Sequence, residues 1–117
     1  MVAPATGKVV LIPYPFSDLS QSKLRPAIVL AGAGRGDWIL CQVTSNPYGD
    51  PLAVPLADDS FAEGSLRVRS FARPGKLFTA SAGLMLTDVG TLKERVVARV
   101  VGAVIDILRG HRNETTA

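Results

Sequence analysis

PAIVLAGAGRGDWILCQVTS, residues 26–45, is the stretch that decides the architecture. The apolar run PAIVLA gives way to the glycine-rich GAGRGD, and DWILCQVTS resumes the apolar character. Two short apolar runs rich in β-branched residues on either side of a glycine turn predict an antiparallel hairpin. GAGRG does not follow a strand into a helix, so it does not read as a dinucleotide-binding loop. The turn reading stands.

Upstream, KVVLIPY starts after Gly7 and is interrupted at Pro13 and Pro15, which predicts a further strand; the stretch from Pro15 to Lys23 reads as a loop built on Pro, Ser and Asp. Downstream, LAVPL is a short strand whose Pro55 demands an edge or bulge position. DDSFAEGS reads as a loop or helical turn. LRVRSF alternates Leu66, Val68 and Ser70 with Arg67, Arg69 and Phe71, the period of a half-exposed strand, and GKLFTA supplies one more. Thr91 and Glu94 have the spacing of a capping box. Beyond them Leu92, Val96, Val97, Val100, Val101, Val104, Ile105 and Leu108 recur at helical spacing. One amphipathic helix is expected from about Leu92 to Arg109, followed by a polar tail. Short consecutive strands with tight turns favour an antiparallel, strongly twisted sheet or small barrel, since a parallel sheet would need crossover helices between strands.

The chain has 117 residues, enough for one domain with a real core; that domain is expected to span 1–117, with its core at about 7–109. Hydrophobic residues make up 47% and charged residues 20%, a globular rather than a disordered composition. No run approaches the roughly 18 apolar residues of a membrane span, and MVAPATGKVV lacks the layout of a secretory signal. Cys41 is alone inside WILCQV, which rules out an intrachain disulfide framework and predicts a buried, inert thiol. These features together point to the cytoplasm.

With one histidine and one cysteine the chain offers no spaced metal-ligand set, and neither a metal nor a cofactor is expected. His111 lies in the tail, so a Ser-His-Asp apparatus has no usable base. What is left is polar chemistry at strand ends: Arg25 before Pro26, and Thr44-Ser45 closing CQVTS. A guanidinium that stays protonated, two hydroxyls and a basic strip from Arg67 to Lys76 suit a phosphate and the charge that develops on it. An ordinary surface ion pair, plain strand-end hydroxyls and a solvated basic face explain the same residues.

The succession GKVVLIPYPFSDLSQSKLRPAIVL…WILCQVTS…GSLRVRSFARPGKLFT, over nearly the whole chain, resembles the PemK/MazF family of toxin endoribonucleases from bacterial toxin–antitoxin pairs. The most specific parts are PFSDL…RPAIVL, the CQVTS strand and RPGKLFT, in that order and at family-like spacing. The resemblance implies an SH3-like antiparallel barrel or twisted sheet with a C-terminal helix. It implies a homodimer that cuts single-stranded RNA at short sequences without metal, leaving 2′,3′-cyclic phosphate and 5′-hydroxyl ends. It also implies a cognate antitoxin of the MazE/PemI kind, whose disordered acidic segment lies across the RNA groove. The catalytic arginine of the family falls on Arg25 and the threonine on Thr44, with Ser45 beside it. Lys76 matches a position facing RNA, Phe16 and Lys23 are expected to stack and to contact phosphate, and Arg69 and Arg73 belong to the strip lining a composite groove. One departure is visible: relatives often carry an acidic residue just after the F-T pair, whereas this chain reads Phe78-Thr79-Ala80-Ser81. The same fold is used by CcdB-like toxins that poison gyrase without cutting anything, and a non-catalytic RNA-binding member is a third possibility.

Overall fold

A computed structural model describes residues 2–15 and 22–110. Seven strands form one antiparallel sheet: β1 (Lys8–Pro15), β2 (Ser22–Gly34), β3 (Asp37–Thr44), β4 (Val54–Leu56), β5 (Phe61–Gly64), β6 (Ser70–Ser81) and β7 (Thr87–Leu92). Helix α1 (Glu94–Leu108) closes the described fold. The spatial order is β4-β6-β3-β2-β1-β7-β5, which makes the proline-bearing β4 an edge strand as its sequence required. The expected curled antiparallel sheet with a C-terminal helix is what forms.

The β2–β3 hairpin turns on Arg35 and Gly36, both with positive φ (58° and 81°). Such a two-residue turn matches the right-handed twist of the strands it joins. Along β1 to β3 the side chains alternate. Val9, Ile28, Cys41 and Val43 join one core cluster with Val96, Val100 and Val104 of α1. Val10, Ala27, Val29 and Leu40 join a second cluster on the opposite face, together with Val2, Met85 and the partly buried Trp38 and Phe78. Both faces are therefore covered, which explains why these strands read as almost continuously apolar. Among the described residues no helix is long and apolar enough to cross a membrane.

Three local readings change. Residues 65–69 form a bend, not a strand: β6 begins only at Ser70, and Val68 is 60% exposed although the alternation would turn it inward. Phe61–Gly64 and Thr87–Leu92 are paired strands where turns and the helix start were expected. Thr91 is held in β7 opposite Lys8, so it caps nothing; the helix starts at Glu94 with Lys93 as N-cap and no side-chain capping bond. Gly64 explains why β5 was hidden. It sits opposite Gly90 at φ +71°, and a Cβ built on it would lie 2.2 Å from the Val89 carbonyl oxygen. Only glycine permits that approach, and glycine is what makes the segment look like a turn.

Cys41 is 0% exposed, and its Sγ donates to the Arg73 carbonyl at 3.2 Å. Burial pushes its pKa up from 9.0 to about 12. The folded thiol should therefore resist iodoacetamide at pH 8 and react only once the chain is unfolded, as mass spectrometry of labelled protein will show. The sign for stability follows: an unfolded chain loses this proton near pH 9.0 and the folded one holds it to about 12. Its contribution is intact below that window and is lost as pH rises through it. Labelling of the native protein as fast as the denatured one would contradict this burial.

Candidate functional site

Arg25 and Thr44 start from neighbouring strands. β2 and β3 pair from Ala27 opposite Gln42 onward, and extending that register two residues beyond its last pair brings Arg25 level with Thr44. Arg25 lies opposite Ile12 of β1, whose side chain is almost fully buried, and Ala27 and Ile28 follow it into the core. The guanidinium thus leaves a backbone paired with β1, just before the ladder with β3 begins. Pro26 between them cannot donate to the ladder, and its ring restricts how Arg25 leaves the strand.

Arg25, Thr44 and Ser45 line one cavity of about 250 Å³, floored by Leu11, Pro26 and Val43 and walled by residues 66–68 and Ser70. The Thr44 hydroxyl is already engaged: it donates to the Asn46 carbonyl at 3.0 Å and accepts from the Asn46 N–H at 3.2 Å. It retains one acceptor lone pair for anything that enters. That turn carries the exposed Ser45 into the cavity wall. Arg25 is half-buried, so its charge acts through a medium less screening than bulk water.

The basic strip divides into two kinds of residue. Arg67, Arg69 and Lys76 are exposed, and so is Lys23 at the start of β2. Arg73 is not part of that open face: its Nε lies 3.1 Å from Asp50 Oδ2, both side chains are mostly buried, and its guanidinium sits 5.7 Å from the centre of the Tyr48 ring. The bond ties the 45–53 loop down onto β6. Asp50 also accepts from the Leu52 N–H at 2.9 Å, so its carboxylate is fully employed within the fold. Phe16 lies outside the described residues. Among the described residues no group of three or more His, Cys, Asp or Glu side chains could hold a metal ion.

The sequence profile of the PemK-like, MazF-like toxins of type II toxin–antitoxin systems matches residues 5–108. The chain belongs to this family. Three solved structures share its fold. MazF (Form I) of Deinococcus radiodurans is 24% identical with a TM-score of 0.71, covering 92% of this chain and 98% of that one. A MazE–MazF complex (Form II) of the same organism is 22% identical with a TM-score of 0.74, covering 92% and 97%. An endoribonuclease in complex with its cognate antitoxin, from a mycobacterial species, is 12% identical with a TM-score of 0.68, covering 92% and 95%. No curated protein sequence matches the chain.

In this MazF-like toxin one cavity residue escaped the sequence reading. Ser70 is 3% exposed and its hydroxyl donates to the Val68 carbonyl at 3.0 Å, which fixes the bend that walls the cavity. The available signal was a polar residue in line with Leu66 and Val68, on the face that the alternation turned inward. The expected carboxylate after the F-T pair is replaced by Ala80, buried in the second core cluster, and by Ser81, which caps the following 3-10 turn by accepting from the Gly83 N–H.

Proposed function

We propose that this toxin is a metal-independent endoribonuclease that cuts single-stranded RNA and is restrained by a cognate antitoxin. The observation that carries the reading is the convergence of Arg25, Thr44 and Ser45 on one cavity, of about 250 Å³, where the pairing of β2 with β3 ends. The reaction needs no group beyond the RNA itself: the 2′-oxygen forms a bond to phosphorus as the bond to the 5′-oxygen breaks. The 2′ proton passes to solvent and a proton from solvent reaches the leaving 5′-oxygen. The products are a 2′,3′-cyclic phosphate and a 5′-hydroxyl.

The roles follow from donor and acceptor capacity. Arg25 cannot give up its proton at neutral pH, so it acts by stabilising the negative charge that builds on the pentavalent phosphorus. Ser45 can donate to a non-bridging phosphate oxygen. Thr44 can do so only by abandoning the Asn46 carbonyl, so its free lone pair suits a donor instead. The 2′-hydroxyl is such a donor, and accepting from it would aim the 2′-oxygen at phosphorus.

Relatives solved with antitoxins support the restraint, and the exposed cations Lys23, Arg67, Arg69 and Lys76 offer an acidic partner segment the same surface they offer RNA. A homodimer in the cytoplasm, with its groove completed by the second copy, fits the same reading. Incubation of the pure protein with a long RNA in excess EDTA, followed by mapping of the ends, is the test. Cleavage is expected at an undiminished rate, with 5′-hydroxyl ends that a kinase labels without prior phosphatase treatment. Intact RNA together with inhibition of gyrase would replace this reading with that of a CcdB-like poison.

A further inference from the structure

Behind the bend at residues 66–68 lies a second cavity, of about 410 Å³, which shares that wall with the cavity of Arg25 and Thr44. Its floor is apolar, built from Leu56, Phe61 and Leu66, and its rim carries Arg67, Arg69 and Asp58. Small-ligand sites span roughly 300–1,000 Å³ and combine such a floor with a few convergent polar groups. Asp58 stands on the 3-10 turn Asp58–Ser60; among the described residues its carboxylate makes no hydrogen bond or ion pair, although two arginines line the same cavity. Arg69 is held aside by Phe71, whose ring centre lies 5.7 Å from the guanidinium carbon. The cavity therefore presents an exposed carboxylate without a partner among the described residues, beside an apolar floor and with cations at its edge.

We propose that this cavity is a base subsite for the RNA strand passing through the Arg25 cavity, and that it selects guanine. The inference rests on the nuclease reading for the course of the strand. The two cavities lie on either side of the 66–68 bend, so a strand that crosses the bend reaches both, its bases on the apolar floor and its phosphates against the exposed Arg67. A carboxylate only accepts, and the choice of base follows from that. Guanine offers N1–H and the N2 amino group side by side on its Watson–Crick edge, which satisfies both carboxylate oxygens at once. Adenine and cytosine each place an acceptor nitrogen next to a single amino group, and uracil flanks one N–H with two carbonyl oxygens. Each of those three turns a lone pair toward Asp58. The bidentate match is the stronger by charge-assisted hydrogen bonding.

Anisotropy titrations of 2′-O-methyl pentanucleotides, which cannot be cleaved, separate this inference from the nuclease reading. With the wild type, guanine at one fixed position should tighten binding at least about ten-fold over the other bases, the discrimination typical of a bidentate contact. Inosine, which lacks the N2 amino group, should lose most of that gain. Asp58→Asn should abolish the preference; Asp58→Ala should do the same and, because the carboxylate makes no polar contact among the described residues, should leave melting unchanged. Random RNA cut by the wild type should carry guanine at a constant offset from the cut, and the Asp58→Ala enzyme should cut guanine-bearing sites more slowly, with that offset flattened. Guanine-selective binding without cleavage would keep the subsite and sink the nuclease. Cleavage with no guanine offset, or pentamers bound alike by wild type and Asp58→Ala, would overturn the subsite. An Asp58 effect confined to an antitoxin peptide would overturn it too, in favour of a protein-docking role.

Discussion

Replacing Arg25 with alanine is expected to lower RNA cleavage by about 10³-fold or more while the protein stays folded. The magnitude is that of removing a single preorganised cation or donor aimed at developing phosphoryl or oxyanion charge, worth roughly 10²–10⁵ in rate. Preorganisation is the point. Arg25 springs from a strand paired opposite Ile12 of β1, two residues before the ladder with β3 begins at Ala27, so the charge is carried by a fixed backbone at the moment of reaction. The side chain is half-buried at the rim rather than inside either core cluster, so its truncation opens no core cavity. Arg25→Lys should recover part of the rate, because the charge returns without the planar fork that can engage two phosphate oxygens. Single-turnover cleavage of a defined RNA, with circular dichroism melts as the control for folding, gives the answer. An Arg25→Ala protein that cuts at the wild-type rate would remove Arg25 from the reaction altogether.

The fold and the candidate site were legible in the amino-acid sequence to different depths. The hairpin of residues 26–45, the edge position of Pro55 and the buried stripe of α1 were all visible. In each, one dominant local cause, a turn dipeptide, a missing N–H or a 3.6-residue period, agrees with the tertiary outcome. β5 and β7 were invisible because their pairing depends on Gly64 facing Gly90, a contact between distant residues that locally reads as a strand breaker. Thr91 and Glu94 matched a capping pattern by spacing alone, and pairing with β1 claimed the threonine for the sheet. The alternation of residues 66–71 mimicked a strand, yet only Ser70 and Phe71 find partners, in β4 and β3. Arg25 and Thr44 could each be singled out, but not their register. Asp58 was hidden in an acidic run that reads as solvated loop, because nothing local reveals a cavity whose floor comes from β4, β5 and the 65–69 bend.

Removing the Asp50 carboxylate should destabilise the fold by about 2–4 kcal/mol, the largest stability effect expected of any charged residue described. Asp50→Ala leaves Arg73, whose side chain is only 18% exposed, without its partner, and breaking a buried pair from one side costs far more than the pair contributes. For a domain of this size the melting temperature should fall by roughly 10 °C. Arg73→Met should cost less, since the thioether fills the space beneath Tyr48 and strands a carboxylate that still accepts from the Leu52 N–H. Combining the two changes should be milder than the sum of the single ones, the signature of direct coupling between the partners. RNA binding gives a second, independent readout. Each phosphate contact made by a cation contributes to the fall of affinity with salt, by a slope of about 0.7 for single strands. Arg67→Ala or Lys76→Ala should therefore flatten the salt dependence by about one such contact. Arg73→Met should leave the slope unchanged, because its charge is spent on Asp50. A flattened slope for Arg73→Met with an unchanged melting temperature would make Arg73 an RNA contact and not the strut that holds the 45–53 loop beside Thr44.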